Sequence, residues 1–136
     1  MKKLTAKQYL LQISKSEKLI SNKIEELKAL NLLATKTTKI IDDNIHIRGS
    51  SDKIGKVIPK IIDLENEINQ EILKYIVLRS EVMKIIDSLE PSMMELLYKR
   101  YFQFKDWDTI AQEMNYTYRW VLGLHGKALY EFQKKL

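Results

Sequence analysis

Four consecutive residues, Thr117, Tyr118, Arg119 and Trp120, stand directly ahead of an apolar stripe at helical spacing, Val121, Leu124, Ala128, Leu129 and Phe132. Side chains of these types suit recognition better than bond cleavage. The Thr117 hydroxyl can cap a helix. Arg119 can place two parallel donors on the O6 and N7 edge of guanine, and Tyr118 can meet a phosphate or a thymine methyl. The start of such a helix adds free backbone N–H groups and the positive end of its dipole. Lys127 on the same helix, with Arg100, Lys105 and Thr109 from earlier in the chain, is a candidate for phosphate contact. Trp120 belongs with this set by position, although a tryptophan beside an apolar stripe more often packs than reads a ligand.

Catalytic chemistry finds little to work with. The chain has no cysteine, which excludes disulfides, thiolate metal sites and thiol nucleophiles and is compatible with a reducing cytoplasm. His125 has no carboxylate or second histidine at ligand spacing, and His46 stands alone in a turn-rich stretch. Asp63, Glu67 and Glu71 fall within helical reach of one another. No histidine, glycine-rich loop or nucleophile accompanies them, so they read as a solvated or salt-bridged face. Neither an enzyme nor a bound metal or cofactor is expected.

The elements that must position these residues are helices. In 136 residues there are 4 glycines and 2 prolines, and 30% of the chain is charged, with abundant Ile, Leu and Lys. This composition predicts an all-α protein. The longest apolar runs, such as Ile76, Val77 and Leu78, are broken by charges within a few residues, so neither a signal peptide nor a membrane span is expected. The reading is of a cytoplasmic protein.

Tyr9, Ile13, Ile20, Ile24, Leu27 and Leu30 recur at three- and four-residue spacings and predict one amphipathic helix over about 4–34. Residues 35–55 collect Thr37, Thr38, Asp42, Asp43, Asn44, Gly49, Ser50, Ser51 and Gly55 and read as a loop, with Ile40, Ile41, Ile45 and Ile47 available to pin it. A second helix over about 56–89 carries the seam Ile61, Ile68, Tyr75, Val82 and Leu89, with Ile72 and Ile86 on the adjacent row. Pro59 fits a first turn or a kink in it, and Pro91 predicts its end near Leu89. Residues 1–60 hold 13 basic against 6 acidic side chains, and residues 61–90 hold 3 against 7. Opposite charge favours the two helices folding against each other as a hairpin over residues 1–89; a homodimer through the long helices is the rival arrangement.

Beyond Leu89 the elements shorten, and residues 90–136 read as a separate module. Pro91 suits a first helical turn, in competition with a capping box from Ser92 to Glu95, and Leu96, Leu97, Tyr101 and Phe102 supply a buried face. Asp106 is the N-cap of a helix from Trp107 to Met114, with Ile110, Ala111 and Met114 turned inward, and Asn115 can end it in the left-handed conformation. Thr117 then caps a helix from Tyr118 to about Lys134, with Tyr116 and Val121 at the spacing of a hydrophobic staple. Ala111, Asn115, Val121 and Leu124 stand at the spacing a helix-turn-helix requires: a small residue for close approach, a left-handed turn, and two apolar residues that pack the second helix on the first.

The stretch Leu96 to Leu129, LLYKRYFQFKDWDTIAQEMNYTYRWVLGLHGKAL, resembles the C-terminal promoter-recognition domain of bacterial sigma factors and, more closely, phage late-gene regulators of the ArpU and RinA type. Arg100 with Tyr101, the W-x-x-I-A from Trp107 to Ala111, and the L-H-G-x-A-L from Leu124 to Leu129 carry the resemblance. It covers about the last third of the chain. It implies a regulator, an activator of phage or prophage late genes, that binds double-stranded promoter DNA, with RNA polymerase as a further partner. The base-reading positions of sigma-like domains map onto Tyr118, Arg119, Leu122 and Gly123, where Leu122 and Gly123 replace the polar residues usual in sigma factors. Two other classes share this layout: a small terminase-like DNA-packaging protein and a sigma mimic that holds RNA polymerase.

Overall fold

The computed structural model describes residues 4–43 and 50–136, with side chains for residues 4–36 and 55–136. Regular structure among them is entirely α-helical: α1 (Ala6–Asp43), α2 (Ser50–Asp87), α3 (Pro91–Tyr101), α4 (Trp107–Met114) and α5 (Tyr118–Lys134). The all-α class predicted from composition is the class observed. None of these helices is long and apolar enough to cross a membrane.

The two long helices extend beyond their predicted ends. α1 runs to Asp43, and α2 starts at Ser50, so most of the stretch read as a loop is helical. Thr37, Thr38 and the aspartates that follow are weaker helix formers than alanine by only a fraction of a kcal/mol each, about 0.7 at most, and neither Gly nor Pro interrupts residues 35–43. Gly55 and Pro59 both lie inside α2. Pro59 has no N–H to give the carbonyl of Gly55 one turn earlier, a local loss that the remaining turns of a 38-residue helix outweigh. His46, Ile45 and Ile47 lie outside the described residues.

The chain divides into two compact units, and the division does not fall between residues 89 and 90. One unit comprises Met1–Glu17 with Tyr75–Leu136, and the other is Lys18–Lys74. In the second unit, Val57, Leu64 and Ile68 of α2 are buried. Lys23 of α1 donates from Nζ to Glu67 Oε2 at 2.7 Å, which holds its ammonium above the usual lysine range. One ion pair thus joins the basic helix to the acidic one within this unit. Ile58, Ile62 and Leu73 leave an exposed apolar row on α2 in this unit.

The core of the first unit draws on both ends of the sequence. Ala6, Leu10 and Ile13 of α1 join Val82, Ile86 and Leu89 with Met93, Leu96, Leu97, Tyr101, Phe102, Ile110, Ala111, Val121, Leu124, Ala128 and Phe132. The backbone N–H of Ala6 donates to Gln133 Oε1 at 2.7 Å, tying the first turn of α1 to the last turn of α5. Lys135 Nζ donates to Ser88 Oγ at 2.7 Å and to its carbonyl at 3.1 Å. Glu17 accepts from the Tyr75 hydroxyl, which in turn receives Arg79 Nη1 at 2.9 Å. Burial and this acidic partner raise the Tyr75 pKa.

α3 begins at Pro91, with Glu90 as a cap residue that forms no side-chain cap hydrogen bond, so the capping box from Ser92 does not form. Proline already has a helical φ and lacks a donor that the first turn would leave unpaired.

Candidate functional site

Local chemistry sets the geometry between α4 and α5. Asp106 Oδ1 accepts from the Thr109 N–H at 2.8 Å, which caps α4, and the hydrogen bonds from Thr109 hold its carboxyl below the ordinary range. Asn115 ends α4 at φ 58 and ψ 39, and the Tyr116 N–H returns to the Ala111 carbonyl at 2.9 Å. Thr117 then opens α5, its Oγ1 accepting from the Trp120 N–H at 3.1 Å. Three residues therefore reverse the chain. Ala111, Val121 and Leu124, all buried, close the angle between the two helices.

This arrangement turns one side of α5 outward. Tyr118, Arg119, Trp120, Leu122, Gly123, Gly126 and Lys127 are exposed, while Val121, Leu124, Ala128 and Phe132 are buried. A cleft of about 230 Å³ lies along this side, lined by Thr117, Arg119, Trp120, Gly123, Leu124 and Lys127. Five of the residues singled out from sequence are thus brought together. Trp120, for which packing was the commoner expectation, is 56% exposed. The tryptophan that packs is Trp107, half-buried against the core. Tyr116 is partly exposed, at 41%, its ring tilted against Trp120 at 6.0 Å between centroids.

The charge on the outer side of α5 is available. Arg119 and Lys127 make no ion pair among the described residues, and Lys127 Nζ stands 5.9 Å from the Trp120 ring centroid. Arg100 and Lys105 differ. The Arg100 guanidinium lies 4.3 Å from the Trp107 ring centroid and donates to the Lys105 carbonyl at 3.0 Å. Lys105 Nζ binds both carboxylate oxygens of Glu113, at 2.7 Å to Oε2, and Lys99 reaches Glu113 at 3.3 Å. These lysines, Lys105 foremost, pull the Glu113 pKa down. Both candidate phosphate contacts are therefore engaged within the fold. Thr109 is exposed on the first turn of α4.

His125 faces inward. It meets Trp107 edge to face at 4.6 Å and holds the Tyr101 hydroxyl through Nε2, and burial pushes its pKa down to about 4. Among the described residues no three His, Asp or Glu side chains gather as a metal site would require. Phe104 escaped the sequence reading: it is exposed, with a left-handed φ of 56 in the turn between α3 and α4. No glycine or asparagine marks that position, so no local signal points to it.

Fold and site together define an all-α protein with a cleft on one side of its last helix and, beside it, cations that have no acidic partner among the described residues. No protein-family model matches the chain, and neither does any curated protein or solved structure.

Proposed function

We propose that α4 and α5 form a helix-turn-helix and that the protein is a sequence-specific DNA-binding regulator of transcription, acting on phage or prophage late promoters. The observation that carries this reading is the outward side of α5, where Arg119 and Lys127 present charge with no acidic partner among the described residues, beside exposed Tyr118 and Trp120. An α-helix fits the major groove, where a guanidinium distinguishes guanine and lysines neutralise phosphates. The left-handed turn at Asn115 and the Thr117 cap supply the stiff connection such a helix needs. The proposed mechanism is binding without catalysis: α5 reads bases from its first turns, and Lys127 with the exposed start of α4 at Thr109 fixes the register on the backbone.

Two rival readings have observations of their own. Exposed Tyr116, Tyr118 and Trp120 are residue types enriched in protein interfaces, which favours a sigma mimic that holds RNA polymerase. The exposed row Ile58, Ile62 and Leu73 favours self-association, as a DNA-packaging assembly would use. Selection of bound fragments from genomic DNA by the purified protein at about physiological salt separates the regulator from both rivals, because non-specific binding is weakened there. Enrichment of one promoter-proximal motif, lost on Arg119→Ala, supports the regulator. Recovery of no motif rejects it in favour of polymerase binding or packaging.

A further inference from the structure

The cleft beside Trp120 carries an inference about which DNA the protein reads. It has an apolar wall, the exposed Trp120 indole and Leu124, and a floor left bare by Gly123, where an added Cβ would meet nothing within 4 Å. At its rim stand Arg119 and Lys127, cations with no acidic partner among the described residues. An occupant must therefore be small and apolar where it enters and anionic on its flanks. On the edges of base pairs in the major groove the apolar group is the C5-methyl of thymine, and the neighbouring charges are phosphates.

We infer that this cleft is a thymine-methyl pocket, with Trp120 and Gly123 as specificity-determining residues, Arg119 on the edge of a neighbouring base pair and Lys127 on a flanking phosphate. The inference rests on the DNA-binding reading above and adds to it the feature recognised. Glycine at position 123 has a cost in a helix interior, and no steric need of the fold demands it. Gly123 lines the cleft beside Trp120, so a long side chain at this position would occupy the space that an incoming group needs. An exposed indole likewise gains from being covered, because burying apolar surface is favourable.

The test removes the methyl and nothing else. A duplex recovered from a random library by the full-length protein is resynthesised with deoxyuridine in place of thymidine, which keeps every base-pairing edge. Affinity should fall about fourfold for each methyl the cleft holds. Trp120→Ala should bind both duplexes equally, and so should Gly123→Leu, which fills the cleft. Both variants should retain the parent's helical circular dichroism, since both positions are exposed. Equal binding of the two duplexes by the parent protein overturns the inference while DNA binding stands. A discrimination that survives in both variants also overturns it, because the methyl is then read elsewhere. Recovery of no duplex at all fails the DNA-binding reading itself, and the inference with it.

Discussion

The Tyr101 hydroxyl lies 2.7 Å from Nε2 of His125 and joins the end of α3 to the middle of α5. Trp107 of α4 meets the imidazole edge to face at 4.6 Å, and the Arg100 guanidinium covers the indole. Three helices thus share one polar and aromatic cluster. On the same helix as His125, Arg119 is exposed and Val121 is buried. The observed work of Tyr101, His125, Trp107 and Arg100 is packing.

Acid should loosen this cluster. His125 is depressed to about 4 in the fold by burial and by the nearby Lys7 and Arg100, against an ordinary value of 6.5. The unfolded chain therefore takes up the proton first as pH falls. Stability is full above about pH 6.5 and is lost progressively toward pH 4. Melting temperatures across this range should fall more steeply for the parent than for His125→Gln, which keeps a polar partner for Tyr101 but does not titrate. Parallel slopes would show that His125 is not protected from protonation in the fold.

Asn115 holds a left-handed conformation at φ 58. Asn115→Gly should change the unfolding free energy by only a few tenths of a kcal/mol, whereas Asn115→Val should cost about 1–2 kcal/mol, because a branched Cβ crowds the following carbonyl. Urea unfolding measures both.

Gly126 sits on the exposed side of α5, and an added Cβ there would meet nothing within 4 Å. Gly126→Ala should stabilise the fold by about 0.5–1 kcal/mol through lower backbone entropy in the unfolded chain. A melting temperature that drops would mean that the backbone at this position departs from regular helix.

The cations divide into two groups with separate outcomes. Arg119→Ala should relax preference at one base by about 1–3 kcal/mol, and Lys127→Ala should weaken binding evenly across sequences and lower the salt slope by about 1. Lys105→Ala should leave DNA affinity unchanged, since its ammonium is held by Glu113, and should lower stability only slightly, as loss of an exposed ion pair does. Fluorescence anisotropy at several salt concentrations distinguishes these outcomes.

What the sequence by itself determined is the local structure. All-α composition, the Asp106 and Thr117 caps and the left-handed turn at Asn115 all depend on side chains acting on backbone within a few residues. The inward stripes of α3, α4 and α5 follow from helical periodicity in the same way. Only the tertiary structure decided which outward residues are free. Arg100 and Lys105 look like Arg119 and Lys127 in the sequence, yet Trp107 and Glu113 reach the first pair and, among the described residues, nothing acidic reaches the second. Trp107 packs and Trp120 does not, because the faces of α3 and α5 that meet Trp107 are set by helix packing rather than by its neighbours in the chain. The extent of the compact unit was likewise beyond any local pattern: the partner of the Ala6 N–H is Gln133, at the far end of the sequence.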